Sequence, residues 1–177
     1  MITSSERVSV TSPPDFKHIV REPALLVATW FGSGLSPKAP GTVGSFAALP
    51  FIGVLLSFGS IWTALAAGVL LLVVGTWAAK RAGQAWAQVD HGAIVVDEVL
   101  GQLIALALPF YIGDQQTPTL AMTTLGFVFF RFFDITKLWP ASYFDRHVKN
   151  ALGVMLDDVA AGLWAGGFTW VVLYLWS

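Results

Sequence analysis

Three acidic sites lie inside otherwise apolar stretches of this sequence. They are Asp97 and Glu98 in IVVDEVLG, Asp134 in FFRFFDITK, and Asp157 with Asp158 in VMLDDVAAG. Carboxylates on apolar helices are costly, and they usually face a protein interior or an aqueous cavity with a cation as partner. Carboxylates that converge from three helices repel one another unless a positive charge lies between them. Because Mg²⁺ prefers oxygen ligands, the five carboxylates are candidate ligands of this ion.

Basic residues accompany one of these acidic sites at regular spacing. Arg131, Asp134 and Lys137 are three positions apart, which places them along one face of a helix. That face alternates positive, negative and positive charge, an arrangement that suits a metal and a phosphate side by side. In addition, Gly101 lies four positions after Asp97, which predicts open space beside that carboxylate.

Taken alone, these residues leave three interpretations open. The cluster could be ion pairs that hold helices together, a proton or ion pathway, or a metal-dependent phosphate site. In the first case the counter-charges would be Arg131, Lys137, Arg146 and Lys149. The chain has no cysteine, which excludes thiolate metal sites and a cysteine phosphatase mechanism. It also has no Asp-x-Asp pair, which argues against an aspartyl-phosphate mechanism of the haloacid dehalogenase type.

The segment GSGLSPKAPGTVGS, residues 32–45, has the composition of an anion-binding loop. Its glycines would let backbone N–H groups approach a phosphate, and Ser36, Lys38, Thr42 and Ser45 would add donors. It lacks the spacing of a Walker A motif. From composition alone, a re-entrant turn or an interfacial connector is an equal alternative.

The composition describes the scaffold that must position these residues. Of the 177 residues, 55% are hydrophobic and only 12% are charged, and the mean hydropathy is +0.68. A net charge of −1 excludes a basic nucleic-acid binder. No charge lies between Lys38 and Lys80, nor from Val159 to the last residue. Since a membrane-spanning helix needs about 20 apolar residues, the chain is predicted to be embedded in or associated with a membrane.

The pattern predicts an all-α protein, a compact multihelical bundle with membrane-embedded or membrane-associated apolar helices. Residues 1–22 are predicted to form an N-terminal polar arm, and residues 23–177 a helical domain. No secretory signal peptide is visible at the start of the sequence. The predicted helices cover residues 23–31, 46–58, 61–86, 94–108, 119–133 and 153–176.

Four segments in order resemble the phosphatidylglycerophosphatase A family of bacterial lipid phosphatases. They are GSGLSPKAPGTVGSFAALP (32–50), IVVDEVLGQLIAL (94–106), FRFFDITKLWP (130–140) and DRHVKNALGVMLDDVAAGLWA (145–165). The resemblance implies Mg²⁺-dependent removal of the phosphate monoester from phosphatidylglycerophosphate, which yields phosphatidylglycerol and phosphate. It also implies the bacterial cytoplasmic (inner) membrane as the location. The active site is expected to face the cytoplasm, the side that positive residues favour.

The resemblance also implies roles for individual residues. The metal-binding positions fall on Asp97, Glu98, Asp134, Asp157 and Asp158, and the catalytic positions on Asp97, Glu98, Asp134, Asp158 and Lys137. The phosphate-binding positions fall on Ser36, Lys38, Thr42, Arg131, Arg146 and Lys149. Leu138 departs from the family pattern, which usually has proline there. We expect water as nucleophile with Asp158 or Glu98 as general base, and a loop serine as the alternative nucleophile.

Two other function classes remain as alternatives to a lipid phosphatase. One is a small membrane transporter that uses the carboxylates for protons or cations. The other is an all-α nucleotide pyrophosphohydrolase, since helical carboxylate clusters also serve that reaction. The predicted partners are a phospholipid substrate and a membrane, without nucleic acid, and a homo-oligomer is compatible with the sequence.

Overall fold

The computed structural model of the chain describes residues 16–113 and 119–176, and every regular element within these ranges is helical. The all-α prediction is therefore confirmed. A single 3₁₀ turn, Ser33–Leu35, separates the second and third α-helices of the described chain. The α-helices are α1 (Phe16–Arg21), α2 (Pro23–Ala28), α3 (Pro40–Phe58), α4 (Ile61–Ala85), α5 (Val96–Ile112), α6 (Leu120–Thr136), α7 (Ala141–His147) and α8 (Ala151–Trp176).

Helix α5 lies at the centre of the bundle and packs against α3, α4, α6 and α8. Its sequence is nearly continuously apolar after the first turn, as expected of a helix that is buried on every side. The first turn carries Asp97 and Glu98, so the central helix brings two carboxylates into the interior of the bundle.

Small residues let α5, α6 and α8 approach closely beside the carboxylates. A Cβ atom on Gly101 would overlap the ring of Phe130 and would lie 2.7 Å from the backbone oxygen of Asp158. A Cβ atom on Gly162 would lie 2.5 Å from the backbone oxygen of Gly101. The predicted open space beside Asp97 is therefore wrong, because neighbouring helices occupy it.

The helix boundaries differ most from the sequence prediction at the beginning of α3 and the end of α5, and α7 is not among the predicted helices. Helix α3 begins at Pro40 rather than at residue 46, so the second half of the predicted loop 32–45 is helical. Proline suits the first turn of a helix because its φ is already close to the helical value and its missing N–H is not needed there. Helix α5 continues through Pro109 to Ile112, beyond the predicted end at residue 108.

Part of the predicted polar arm is integrated into the bundle. Residues 1–15 lie outside the described part of the chain, but Phe16–Arg21 forms α1, which packs against α2. Ile19 of α1 is fully buried in the same apolar cluster as Leu25 and Ala82. The division of the chain at residue 22 stays a prediction.

Helices α3, α4 and α8 are long and apolar enough to cross a membrane, judged by length and composition. At 1.5 Å per residue, the 19 residues of α3 extend about 28 Å, close to the thickness of a bilayer's hydrocarbon core. Large apolar side chains on these helices face outward, and they include Phe46, Phe51, Phe58, Trp62, Leu65, Val69 and Leu175. This outward apolar surface indicates association with a membrane.

Substitution of Gly101 tests the close packing of α5. We expect Gly101→Ala to lower the free energy of unfolding by about 1–3 kcal/mol, because the new methyl group meets Phe130 and the α8 backbone. The matched control is Gly68→Ala in α4, where a Cβ atom would meet nothing within 4 Å. This control should be neutral or stabilising by up to about 1 kcal/mol, because alanine favours helix. Thermal unfolding in detergent micelles measures both, and equal stability of the two variants would contradict the packing described.

Candidate active site

A polar cavity of about 200 Å³ lies where the ends of α5, α6 and α8 meet the first turn of α3. All five carboxylates singled out from the sequence line it, together with Lys137. The remaining lining residues are Pro40, Gly41, Asp90, Gly92, Ile94 and Val154. The fold thus brings together acidic residues from three helices. Two of them, Asp97 and Asp158, are 61 positions apart in the sequence.

Each carboxylate reaches the cavity because it lies near a helix end. Asp97 and Glu98 are in the first turn of α5, where the positive end of the helix dipole stabilises a negative charge. Asp134 is in the last turn of α6, while Asp157 and Asp158 follow the first turn of α8. The four aspartates are buried, so their charges are largely removed from solvent.

Arg131 connects α6 to α5 and α3. Its Nη1 lies 2.8 Å from Oδ2 of Asp134 and 3.8 Å from Oε1 of Glu98. It also donates a hydrogen bond to the hydroxyl of Ser45 at 3.5 Å. Its Nε is buried and donates to no acceptor within the described residues.

Lys137 connects the end of α6 to α8. It is the C-terminal cap of α6 and has a left-handed backbone conformation with φ of 48°. Its Nζ donates to Oδ2 of Asp157 at 2.6 Å and lies 3.4 Å from Oδ1 of Asp134. Oδ1 of Asp158 is 3.9 Å away. One ammonium group therefore offsets part of the charge of three aspartates.

The surroundings shift the pKa values of the groups at the helix ends. Burial and the nearby charge of Asp158 raise the pKa of Glu98 to about 8. Burial, with the adjacent charge of Glu98, raises the pKa of Asp97 well above its usual range. Burial alone would lower the pKa of Lys137, but the charges of Asp158 and Asp157 outweigh it and raise that pKa. Lys137 therefore stays protonated, whereas the carboxyl groups need a further positive charge to ionise fully.

Several buried carboxyl oxygens accept no hydrogen bond from the residues that the structure describes. Asp97, Glu98 and Asp158 each have one carboxyl oxygen within 4.8 Å of the other two, and these three oxygens together could hold a metal ion. Only oxygen ligands are offered, which is the chemistry that hard divalent cations prefer. The residues therefore fit a divalent metal. The unpartnered atoms are Asp97 Oδ1, Glu98 Oε2, Asp157 Oδ1 and Asp158 Oδ1.

The first turn of α3 forms one wall of the cavity, and it needs glycine at position 41. A Cβ atom there would overlap Oε1 of Glu98 and would lie 3.2 Å from Nη1 of Arg131. The hydroxyl of Ser45 donates to the backbone oxygen of Gly41 at 2.8 Å, which keeps Ser45 next to Arg131. The absence of a side chain at Gly41 thus allows the Glu98–Arg131 pair to lie against α3.

Comparison with known proteins identifies the relatives of this chain. Residues 26–173 match the family model described as phosphatidylglycerophosphatase A. The chain belongs to the phosphatidylglycerophosphatase A family. The segments quoted from the sequence, and every lining residue of the acidic cavity, fall within the matched range.

Three curated relatives cover most of the chain. The phosphatidylglycerophosphatase A of Escherichia coli is 39% identical over 85% of this chain and 84% of its own length. The protein of the same name from Haemophilus influenzae is 37% identical over 81% of this chain and 84% of its own. A Bacteroides thetaiotaomicron protein, provisionally named a phosphatidylinositol-3-phosphatase, is 37% identical over 80% and 87%. No solved structure shows significant similarity to the chain.

None of the six predicted phosphate-binding residues is in the lining of the acidic cavity of this phosphatidylglycerophosphatase A family member. Arg131 lies behind the lining and is paired with Glu98 and Asp134, which belong to it. The other five are Ser36, Lys38, Thr42, Arg146 and Lys149. The hydroxyl of Ser36 donates instead to the backbone oxygen of Lys38 at 2.9 Å, and Lys149 lines a different cavity. Their roles in phosphate binding stay predictions. Leu138, which departs from the family pattern, is exposed and also lies outside the lining.

Sequence reasoning missed one acidic residue of the cavity, Asp90. It lies in the turn before α5 and is exposed, so it does not stand out as a charge within an apolar helix. Its position three residues before Ala93, where the apolar run towards α5 begins, is the signal that could have identified it.

Addition of a divalent cation tests the metal-binding capacity of the cavity. We expect Mg²⁺ at about 100 times its dissociation constant to stabilise the metal-free protein by about 2.7 kcal/mol. Asp158→Asn should remove most of this stabilisation, because it removes one of the three clustered ligands. The matched control is Asp145→Asn, since Asp145 lies in α7 outside the lining of the cavity. This variant should keep the stabilisation by Mg²⁺. Thermal unfolding with and without Mg²⁺ measures the effect, and equal stabilisation of all three proteins would place the ion elsewhere.

Proposed function

We propose that this protein is a phosphatidylglycerophosphatase that hydrolyses the phosphate monoester of phosphatidylglycerophosphate to phosphatidylglycerol and phosphate. Its family membership and the names of the E. coli and H. influenzae relatives support the reaction. The observation that carries the proposal is the acidic cavity in the matched region, which is lined by five carboxylates and Lys137, with Arg131 paired to two of those carboxylates. Carboxylates suit a metal, and the two cations suit a phosphate monoester.

Mg²⁺ is the proposed cofactor, held by Asp97, Glu98 and Asp158, with Asp134 and Asp157 nearby. When bound, it would supply a Lewis acid for the phosphoryl oxygens and would lower the pKa of a water molecule. The unpartnered oxygens of the first three residues support this assignment, since each needs a positive partner in the buried cavity.

Arg131 and Lys137 would bind the phosphoryl oxygens and offset the charge that develops on them. Preorganised cations at such a position act strongly because they need no rearrangement during the reaction. Asp134 lies 2.8 Å from Arg131 and 3.4 Å from Lys137, and it therefore holds both side chains towards the cavity.

Water is the nucleophile that the hydrogen bonds favour. The hydroxyls of Ser36 and Ser45 donate to the backbone oxygens of Lys38 and Gly41, and a carbonyl cannot accept a proton as a general base. Glu98 and Asp158 each retain a carboxyl oxygen without a hydrogen-bond donor in the described structure. The one of the two whose free oxygen does not bind the metal would accept the proton from water.

The proposed location is the bacterial cytoplasmic membrane, with the acidic cavity at the cytoplasmic surface. Three helices that are long and apolar enough to cross a membrane support this location, and the proposed phospholipid substrate is found there. The transporter alternative and the nucleotide pyrophosphohydrolase alternative receive no support from the family match, whose description names a lipid phosphatase. A homo-oligomer stays a prediction.

Phosphate release from phosphatidylglycerophosphate in mixed micelles tests the reaction. We expect activity that EDTA abolishes and Mg²⁺ restores. Asp134→Asn should lower the rate by about 100-fold, because Arg131 and Lys137 lose the carboxylate that positions them. Asp145→Asn in α7 is the control and should retain activity. Full activity of Asp134→Asn, activity that resists EDTA, or faster release from phosphatidylinositol 3-phosphate would each contradict the proposal.

Single-cysteine labelling tests the orientation, and the chain has no native cysteine to interfere. Lys38→Cys and Lys149→Cys should react with an impermeant reagent only from the cytoplasmic side, because both lie at helix ends near the cavity. Phe58→Cys, at the other end of α3, should react from the opposite side; Phe58 is 89% exposed. Labelling of Lys38→Cys and Lys149→Cys from different sides would contradict the proposed topology.

A further inference from the structure

A second cavity, of about 430 Å³, lies between the end of α4 and the beginning of α8. It shares no lining residue with the acidic cavity. We call it the Lys80–Lys149 cleft, after the two lysines that line it. Ala79, Val89, Asn150 and Leu152 also line this cleft.

The charge of this cleft is opposite to that of the acidic cavity. Lys80 and Lys149 are exposed, and neither has a carboxylate within 4.0 Å among residues 16–113 and 119–176. No acidic residue belongs to its lining. Lys137, in contrast, is bound to aspartates on two helices. The two lysines of the cleft are therefore available to an anion. A bound anion would offset the repulsion between their two positive charges.

The position of the lysines in the chain places the cleft at the level of lipid headgroups. Lys80 is the first charge after the uncharged stretch that contains most of α4, and Lys149 comes two residues before α8. Both helices are long and apolar enough to cross a membrane. Lysines at the ends of such helices extend to the interface, where anionic headgroups attract them.

The remaining lining of the cleft fits a lipid better than a free ion. Val89 and Leu152, which are both exposed, provide an apolar surface beside the lysines. The amide groups of Leu152 and Gly153 already donate to Oδ1 of Asn150, at 3.0 and 3.1 Å. Because these amides are occupied, the lysines are the charged donors that the cleft offers to an anion. The apolar surface suits the part of a lipid next to its phosphate.

We propose that the Lys80–Lys149 cleft binds the phosphodiester headgroup of an anionic phospholipid, as a second lipid site separate from the acidic cavity. The inference rests on the membrane setting proposed above and not on the phosphatase reaction. Val89 lines the cleft and Asp90 lines the acidic cavity, so a lipid in the cleft contacts the segment that carries an acidic lining residue. That segment is folded back onto α4 by a hydrogen bond from the amide of Gln88 to the backbone oxygen of Gly83, at 3.0 Å.

Native mass spectrometry of the full chain in detergent, with short-chain phosphatidylglycerol and phosphatidylcholine as probes, tests the proposal. Wild type should bind phosphatidylglycerol about 10-fold more tightly than phosphatidylcholine. The double variant Lys80→Gln/Lys149→Gln should lose this preference, and Lys80→Arg/Lys149→Arg should keep it. The matched control, Arg21→Gln/Arg81→Gln, removes the same charge outside the cleft and should also keep it. An unchanged preference in the first variant, or equal loss in the control, would overturn the proposal.

Two further measurements identify the ligand and separate this proposal from the phosphatase reaction. The wild-type preference should weaken as salt is raised from about 50 to 500 mM, since charge screening increases; a salt-independent preference would overturn the proposal. Millimolar inorganic phosphate should not displace phosphatidylglycerol, and complete displacement would show a free-phosphate site instead. Asp134→Asn should bind phosphatidylglycerol as wild type does, even though it is expected to lose phosphate release. Loss of lipid binding in that variant would place the lipid in the acidic cavity and overturn the proposal.

Discussion

The repulsion among five carboxylates that share one buried cavity is the constraint on which the site depends. Two like charges 4 Å apart repel by about 4 kcal/mol at the effective dielectric of a protein surface. Arg131 and Lys137 offset part of this repulsion through contacts of 2.8 and 2.6 Å. Two cations do not balance five carboxylates, and four of the carboxylates keep an oxygen without a donor in the described structure, among them the clustered Asp97, Glu98 and Asp158. The unbalanced charge is the physical reason for proposing a metal there.

Close helix packing makes this concentration of charge attainable. Gly101 and Gly162 let the backbones of α5 and α8 approach, so that acidic residues near the beginning of each helix enter the same cavity. Gly41 serves the same purpose at α3, where a side chain would displace Glu98. The apolar contacts along the rest of α5 then hold the charged ends in place, since this helix packs on four others.

The two polar cavities occur at the ends of helices whose remaining lengths are apolar. One is acidic and enclosed by four helices, while the other is basic and open beside α4 and α8. The acidic and the basic cavity are neighbours, because the consecutive residues Val89 and Asp90 line the basic and the acidic one respectively. This arrangement is consistent with an enzyme that acts on an anionic lipid while it contacts other anionic lipids at the same surface.

The sequence by itself determined the helical class, the apolar scaffold and the five carboxylates, because charges inside apolar helices are rare and conspicuous. The order of Arg131, Asp134 and Lys137 also predicted one helix face, which the observed ion pairs confirm. Tertiary structure decided which cations join the acidic cavity. Lys137 reaches α8 from the end of α6, whereas Lys149 lies in a separate cleft, although both are basic residues close to acidic ones in the sequence. Spacing along a helix identifies neighbours on one face, but the contacts between helices depend on backbone approach at glycines, which the charge pattern does not show.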